Sequence, residues 1–78
     1  ANLDRAVRAS SRQLAAISIL AADGRLARLD PTVRAVARAR LDAPEASLTD
    51  LAATGELSRA AVQRSLERLE ALAGSGLV

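Results

Sequence analysis

Apolar positions along this chain recur mostly at intervals of three and four, the spacing that puts them on one face of an α-helix. The first such run predicts a helix over about residues 3–22, with Leu3, Val7, Leu14, Ile17 and Ala21 on its inner face. Arg5, Arg8 and Arg12 fall together on another face. Asp23-Gly24 ends this helix, because glycine readily supplies the left-handed residue that closes a helix C-terminus. Residues 25–29 then read as a connector of about one helical turn. Asp30-Pro31 restarts the chain: Asp30 can accept from free backbone N–H groups, and proline suits the first helical position. The second helix is predicted over 31–41, with Val33, Val36, Ala37 and Leu41 inside and Arg34 and Arg38 outside. Pro44 stops any continuation and biases Ala43 away from helix.

Ser47-Leu48-Thr49-Asp50 fits a capping box, so a short third helix over 48–53 follows, with Leu48, Leu51 and Ala52 as its apolar side. Thr54 to Leu57 is the turn. Ser58 caps a fourth helix over 59–73, whose inner stripe is Val62, Leu66, Leu69 and Ala73. The expected fold class is therefore all-α, a single compact bundle of four helices over residues 1–78 that ends in a helix-turn-helix.

The segment from Ser47 to Leu69 carries the candidate function. A helix-turn-helix needs a small residue where its helices cross, an apolar residue after the turn, and an outer face that fits the major groove. Ala52, Leu57 and the outer face of the last helix fill these roles. The candidate DNA-binding residues are Thr49, Ser58, Arg59, Ala60, Gln63, Arg64 and Arg68. Arginine pairs with guanine, glutamine pairs with adenine, and both reach phosphates. Arg5, Arg8, Arg12, Arg34 and Arg38 are candidate phosphate contacts, although arginine rows of this kind also form ordinary solvated faces. The same caps also fit a plain helical hairpin. Gly55-Glu56 replaces the usual apolar-glycine pair of the turn, and Glu67 and Glu70 add negative charge to the last helix.

Composition narrows the remaining classes. The 78 residues contain no aromatic, Met, Cys or His, so the core is built from Leu, Ala, Val and Ile. Without Cys or His the common zinc sites are excluded, and no cofactor is expected. The seven serines have no histidine to activate them, so an enzyme is not expected. All eleven basic residues are arginine and the net charge is only +2. A GC-rich bacterial genome accounts for that usage without a functional cause. No apolar run reaches the roughly 18 residues of a membrane span, so a soluble cytoplasmic protein with no small-molecule ligand is expected.

The chain also resembles a known family. Ala1-Asn2-Leu3 with Arg5, Val7, Ala9, Arg12-Gln13 and Ile17 is similar to the first helix of the C-terminal domain of the WhiA family of bacterial regulators. Leu29-Asp30-Pro31, Val33-Arg34, Ala37 and Arg40-Leu41 resemble its second helix. Pro44 to Leu48 with Leu51, and Ser58 to Val62 with Leu66, Arg68 and Leu69, resemble the remainder. Gln63-Arg64-Ser65, Glu67 and Ala52 depart from the usual pattern. The resemblance implies a helix-turn-helix similar to the promoter-binding region of sigma factors, at the C-terminal end of a larger protein. It implies sequence-dependent binding of double-stranded DNA in regulating sporulation and cell division, and a nucleoid-associated location. It also implies RNA polymerase and a WhiB-type protein as partners. The alternative is a helical protein-interaction module that docks RNA polymerase or a partner regulator and binds DNA weakly or not at all.

Overall fold

The computed structural model describes residues 2–75, with side chains described from Arg8 to Gly74. It contains α1 (Asn2–Ala22), a 3-10 turn (Leu26–Arg28), α2 (Pro31–Asp42), α3 (Leu48–Gly55) and α4 (Arg59–Ser75), with no strand among the described residues. α4 packs against each of the other three helices. Its inner stripe of Val62, Leu66, Leu69 and Ala73 is buried, as the periodicity predicts. Ile17 and Leu20 of α1, Val33, Val36 and Ala37 of α2, and Leu51 and Ala52 of α3 close around it.

The predicted punctuation is present. Gly24 ends α1 at φ +82°, a conformation that a Cβ would strain. Asp30 Oδ2 accepts from the Thr32 N–H at 2.9 Å. Ser47 Oγ accepts from the Asp50 N–H at 3.1 Å, and Asp50 Oδ2 accepts in return from the Ser47 N–H at 3.3 Å, completing the capping box. Leu20-Ala21-Ala22-Asp23-Gly24 is thus a helix end. Arg25 stitches that end to the last helix: its Nε donates to Asp23 Oδ2 at 2.7 Å, and its Nη1 donates to the Leu72 carbonyl at 2.8 Å. The Arg25 backbone N–H, followed by its side chain, holds the Asp23 carboxyl below its ordinary value.

The buried faces of α1 and α2 differ from the periodic reading by one position. On α1 the buried residues are Gln13, Ala16, Ile17 and Leu20; Leu14 is half-buried and Ala21 is exposed. Leu3, Val7 and Arg5 lie outside the residues whose side chains are described. On α2, Leu41 is 42% exposed and Arg40 is 3% exposed. The physical reason is the cover over this end of α2. The loop after the helix lies there, and it presents carbonyl groups. Arg40 Nη1 donates to the Ala46 carbonyl at 2.7 Å and to the Pro44 carbonyl at 3.2 Å. A leucine could satisfy neither. Ser10 of α1 also donates to the Pro44 carbonyl, so that carbonyl joins three segments. Burial pushes the Arg40 pKa down, but a guanidinium titrates so high that it stays charged at neutral pH. Arg40 Nε and Gln13 Oε1 are buried with no hydrogen-bond partner among the described residues.

Candidate nucleic-acid interface

The turn between α3 and α4 closes despite its unusual sequence. The Leu57 N–H donates to the Ala52 carbonyl at 2.9 Å and the Glu56 N–H to the Ala53 carbonyl at 3.4 Å. This is the paired bonding of a Schellman motif, with its apolar residue, Leu57, packed against the core. The motif needs one left-handed residue, and here Glu56 takes it at φ 56°, ψ 39°. Gly55 is still helical. The glycine therefore stands one position before the place where its freedom is useful. A non-glycine residue in this region costs about 1–2 kcal/mol.

The turn delivers Ser58 to the start of α4. Its Oγ accepts from the Ala61 N–H at 3.0 Å, and its carbonyl accepts from the Val62 N–H at 3.1 Å. The amides of Arg59 and Ala60 then open α4, where the free N–H groups and the helix dipole favour an anion. Arg59 and Ala60 are exposed in the first turn of α4, with Arg59 at the head of the stripe that Val62 and Leu66 continue, and Gln63, Arg64 and Arg68 are exposed outside that stripe. Thr49 is exposed in the first turn of α3. At about 100° per residue, Glu67 falls near the centre of the exposed face of α4, and it makes no ion pair among the described residues.

Two neighbours flank that face. On one side Ala61, Arg64, Ser65 and Arg68 line a cleft of about 290 Å³ with Asp30, Thr32 and Val33 at the start of α2. On the other side Arg12 of α1 pairs with Glu70 at 3.5 Å, an exposed and weak contact. Arg8 is exposed on α1. Arg34 and Arg38 line a different groove, on the flank of α2 away from the cleft, and Arg38 pairs with Asp42 at 3.3 Å. The candidate residues therefore form one group on α4, with α1 beside it and the α2 pair apart.

The sequence reading did not single out Arg40, which holds the loop that introduces α3. The signal was its spacing: position 40 follows Val33, Val36 and Ala37 at intervals of seven, four and three. Among the described residues no cluster of His, Cys, Asp or Glu could hold a metal, and no helix is long and apolar enough to cross a membrane.

Comparison with known proteins agrees with this arrangement. Residues 1–73 match the family described as "WhiA C-terminal HTH domain". The chain is 41% identical over 80 aligned residues to a "Probable cell division protein WhiA" of Symbiobacterium thermophilum. That alignment covers 96% of this chain and 24% of the relative, so the chain spans about a quarter of that protein's length. No solved structure is a significant match. An all-α bundle whose last two helices form a capped helix-turn-helix, with a family match over nearly its whole length, belongs to the WhiA C-terminal helix-turn-helix family.

Proposed function

We propose that this domain binds double-stranded DNA in a sequence-dependent manner, with α4 in the major groove, as part of a bacterial transcription regulator of sporulation and cell division. One observation carries the reading. α4 opens on a capped N-terminus with Arg59 exposed in its first turn, and Gln63, Arg64 and Arg68 are exposed outside its buried stripe of Val62, Leu66 and Leu69. Arg59 and Gln63 are near enough to the N-terminus to meet base edges, the usual docking of a recognition helix. Arg64 and Arg68, beside the start of α2, suit the phosphates that border the groove. Arg8 and Arg12 extend the positive surface, and Thr49 adds a hydroxyl from α3. The role is non-catalytic. RNA polymerase and a WhiB-type protein are the proposed partners of the larger protein, with a nucleoid-associated location in the cytoplasm.

Anisotropy titrations against promoter-derived and random duplexes at two salt concentrations test this. Duplex binding is expected at low salt, with a log–log salt slope of about −0.9 per phosphate contact. Arg59→Ala and Arg64→Ala weaken it, and unchanged binding in both rejects this face. Glu67→Gln strengthens binding by about fivefold, the effect of roughly 1 kcal/mol between unit charges 4 Å apart in water. No binding of the wild type at low salt would instead favour a protein-interaction module.

A further inference from the structure

Among the described residues, Ala21 and Leu41 are the two apolar residues that the periodicity sends to the core and the structure leaves exposed. Both line the same shallow groove, between the end of α1, the 3-10 turn and α2. Gly24, Leu26 and Ala27 complete its apolar lining, Arg34 and Arg38 are the charged residues that line it among the described residues, and its volume is about 320 Å³. Thus the mismatch between pattern and burial is not scattered. It marks one patch where apolar side chains stand uncovered among the described residues.

Helical geometry separates this patch from α4. At about 100° per residue, positions 34, 38 and 41 fall within roughly 60° of one another on α2, on the flank roughly opposite Thr32. Thr32 lines the cleft beside Arg64 and Arg68. The groove and the outer face of α4 therefore lie on different flanks of α2, and one can be filled without the other.

We infer that this groove docks an amphipathic helix from an acidic protein partner. Leucine-like side chains at intervals of three and four fill the apolar floor, and flanking carboxylates meet the two guanidinium groups. Charge selects this occupant. Arg34 makes no ion pair among the described residues, and the Arg38–Asp42 pair is exposed enough to exchange partners at little cost. A second copy packed by a two-fold axis would set the same patch against itself and bring four arginines together. A phosphate backbone would use the arginines and leave Ala21, Leu26, Ala27 and Leu41 without a partner.

The test titrates the isotope-labelled chain with a synthetic Leu/Glu amphipathic helix of about four turns, with its Leu/Lys counterpart, and with a duplex. The acidic peptide is expected to shift the amides of Ala21, Gly24, Ala27 and Leu41, and the basic peptide to bind far more weakly. Leu41→Ser, and separately Arg34→Glu with Arg38→Glu, lower acidic-peptide affinity by about tenfold, the loss expected for an anchoring residue. Circular dichroism checks that these exposed substitutions leave the fold intact. Duplex affinity stays unchanged in Leu41→Ser, so failure of DNA binding and failure of this groove are read separately. Three results overturn the inference: equal affinity for both peptides, amide shifts confined to α4, or loss of duplex binding in the double arginine variant with acidic-peptide binding intact. A dimer seen in sedimentation and dissolved by Leu41→Ser would also overturn it, by making a second copy the occupant.

Discussion

The α3–α4 half and the α1–α2 half of this domain are built from the same residues and obey the same periodicity, yet they relate to it differently. In α3–α4, the inner stripe and both N-caps fall where the pattern of apolar and polar residues puts them. In α1–α2, Gln13 and Arg40 are inside while Ala21 and Leu41 are outside. For α4 and the end of α2, what covers the helix explains the contrast. α4 is wrapped by three helices, whose facing surfaces are side chains, so apolar groups serve best. The end of α2 is covered partly by a loop, whose facing surface includes carbonyl groups. A charged donor with a long apolar stem suits that place better than leucine.

Matched substitutions in the two halves should differ most in their effect. Leu66→Ala, at a site 1% exposed, is expected to cost about 2–5 kcal/mol in urea denaturation. Leu41→Ala, chemically the same change at the groove, should stay within about 0.5 kcal/mol. Equal costs would show that the periodic assignment of Leu41 to the core is right after all.

Arg40→Met comes next. It keeps the stem and removes the donors to the Pro44 and Ala46 carbonyls, so a loss of about 2 kcal/mol is expected. A gain in stability would mean that relief from burying a cation outweighs those bonds, an outcome known for other buried charges.

The turn offers smaller effects of both signs. Ser58→Ala removes the acceptor for the Ala61 N–H and should cost about 1 kcal/mol. Gly55→Ala with Glu56→Gly puts glycine at the left-handed position and alanine in the helix. A Cβ at Gly55 meets Leu57 Cδ1 at 3.4 Å, a close contact that a small shift of the side chain relieves. The double change is expected to stabilise the domain by about 1 kcal/mol, read as a higher midpoint in thermal melts.

Acid gives the smallest effect. Asp23 is held below its ordinary value of 3.8, so its stabilising contribution is complete above that pH and fades as pH falls through the lowered folded value. An Asp23→Asn chain should therefore lose less stability between neutral pH and the acid limb than the wild type. Parallel acid limbs would assign the contact no role in folding.

Helix number, order and most boundaries are legible in the residues because they depend on local chemistry. Asp30-Pro31, Ser47 with Asp50, and Ser58 each act on backbone groups within three residues, so their effect needs no knowledge of the rest of the chain. The outer face of α4 is legible for the same reason: the apolar stripe leaves the rest of the helix for Gln63, Arg64 and Arg68. Less could be read where the deciding partner is distant in sequence. Glu56 is left-handed because Leu57 must reach the core, which outweighs the local preference for glycine there.

Local chemistry along the chain specifies four helices, the last three with side-chain N-caps, and a positively charged outer face on the last one. Which of two adjacent positions each of α1 and α2 buries is set by packing against the rest of the fold, because a helix rotated by one residue still presents a mixed face. At the end of α2 that choice depends on the carbonyl groups that lie opposite. It places Arg40 under the loop before α3, and it leaves Leu41 and Ala21 together in an open groove beside Arg34 and Arg38.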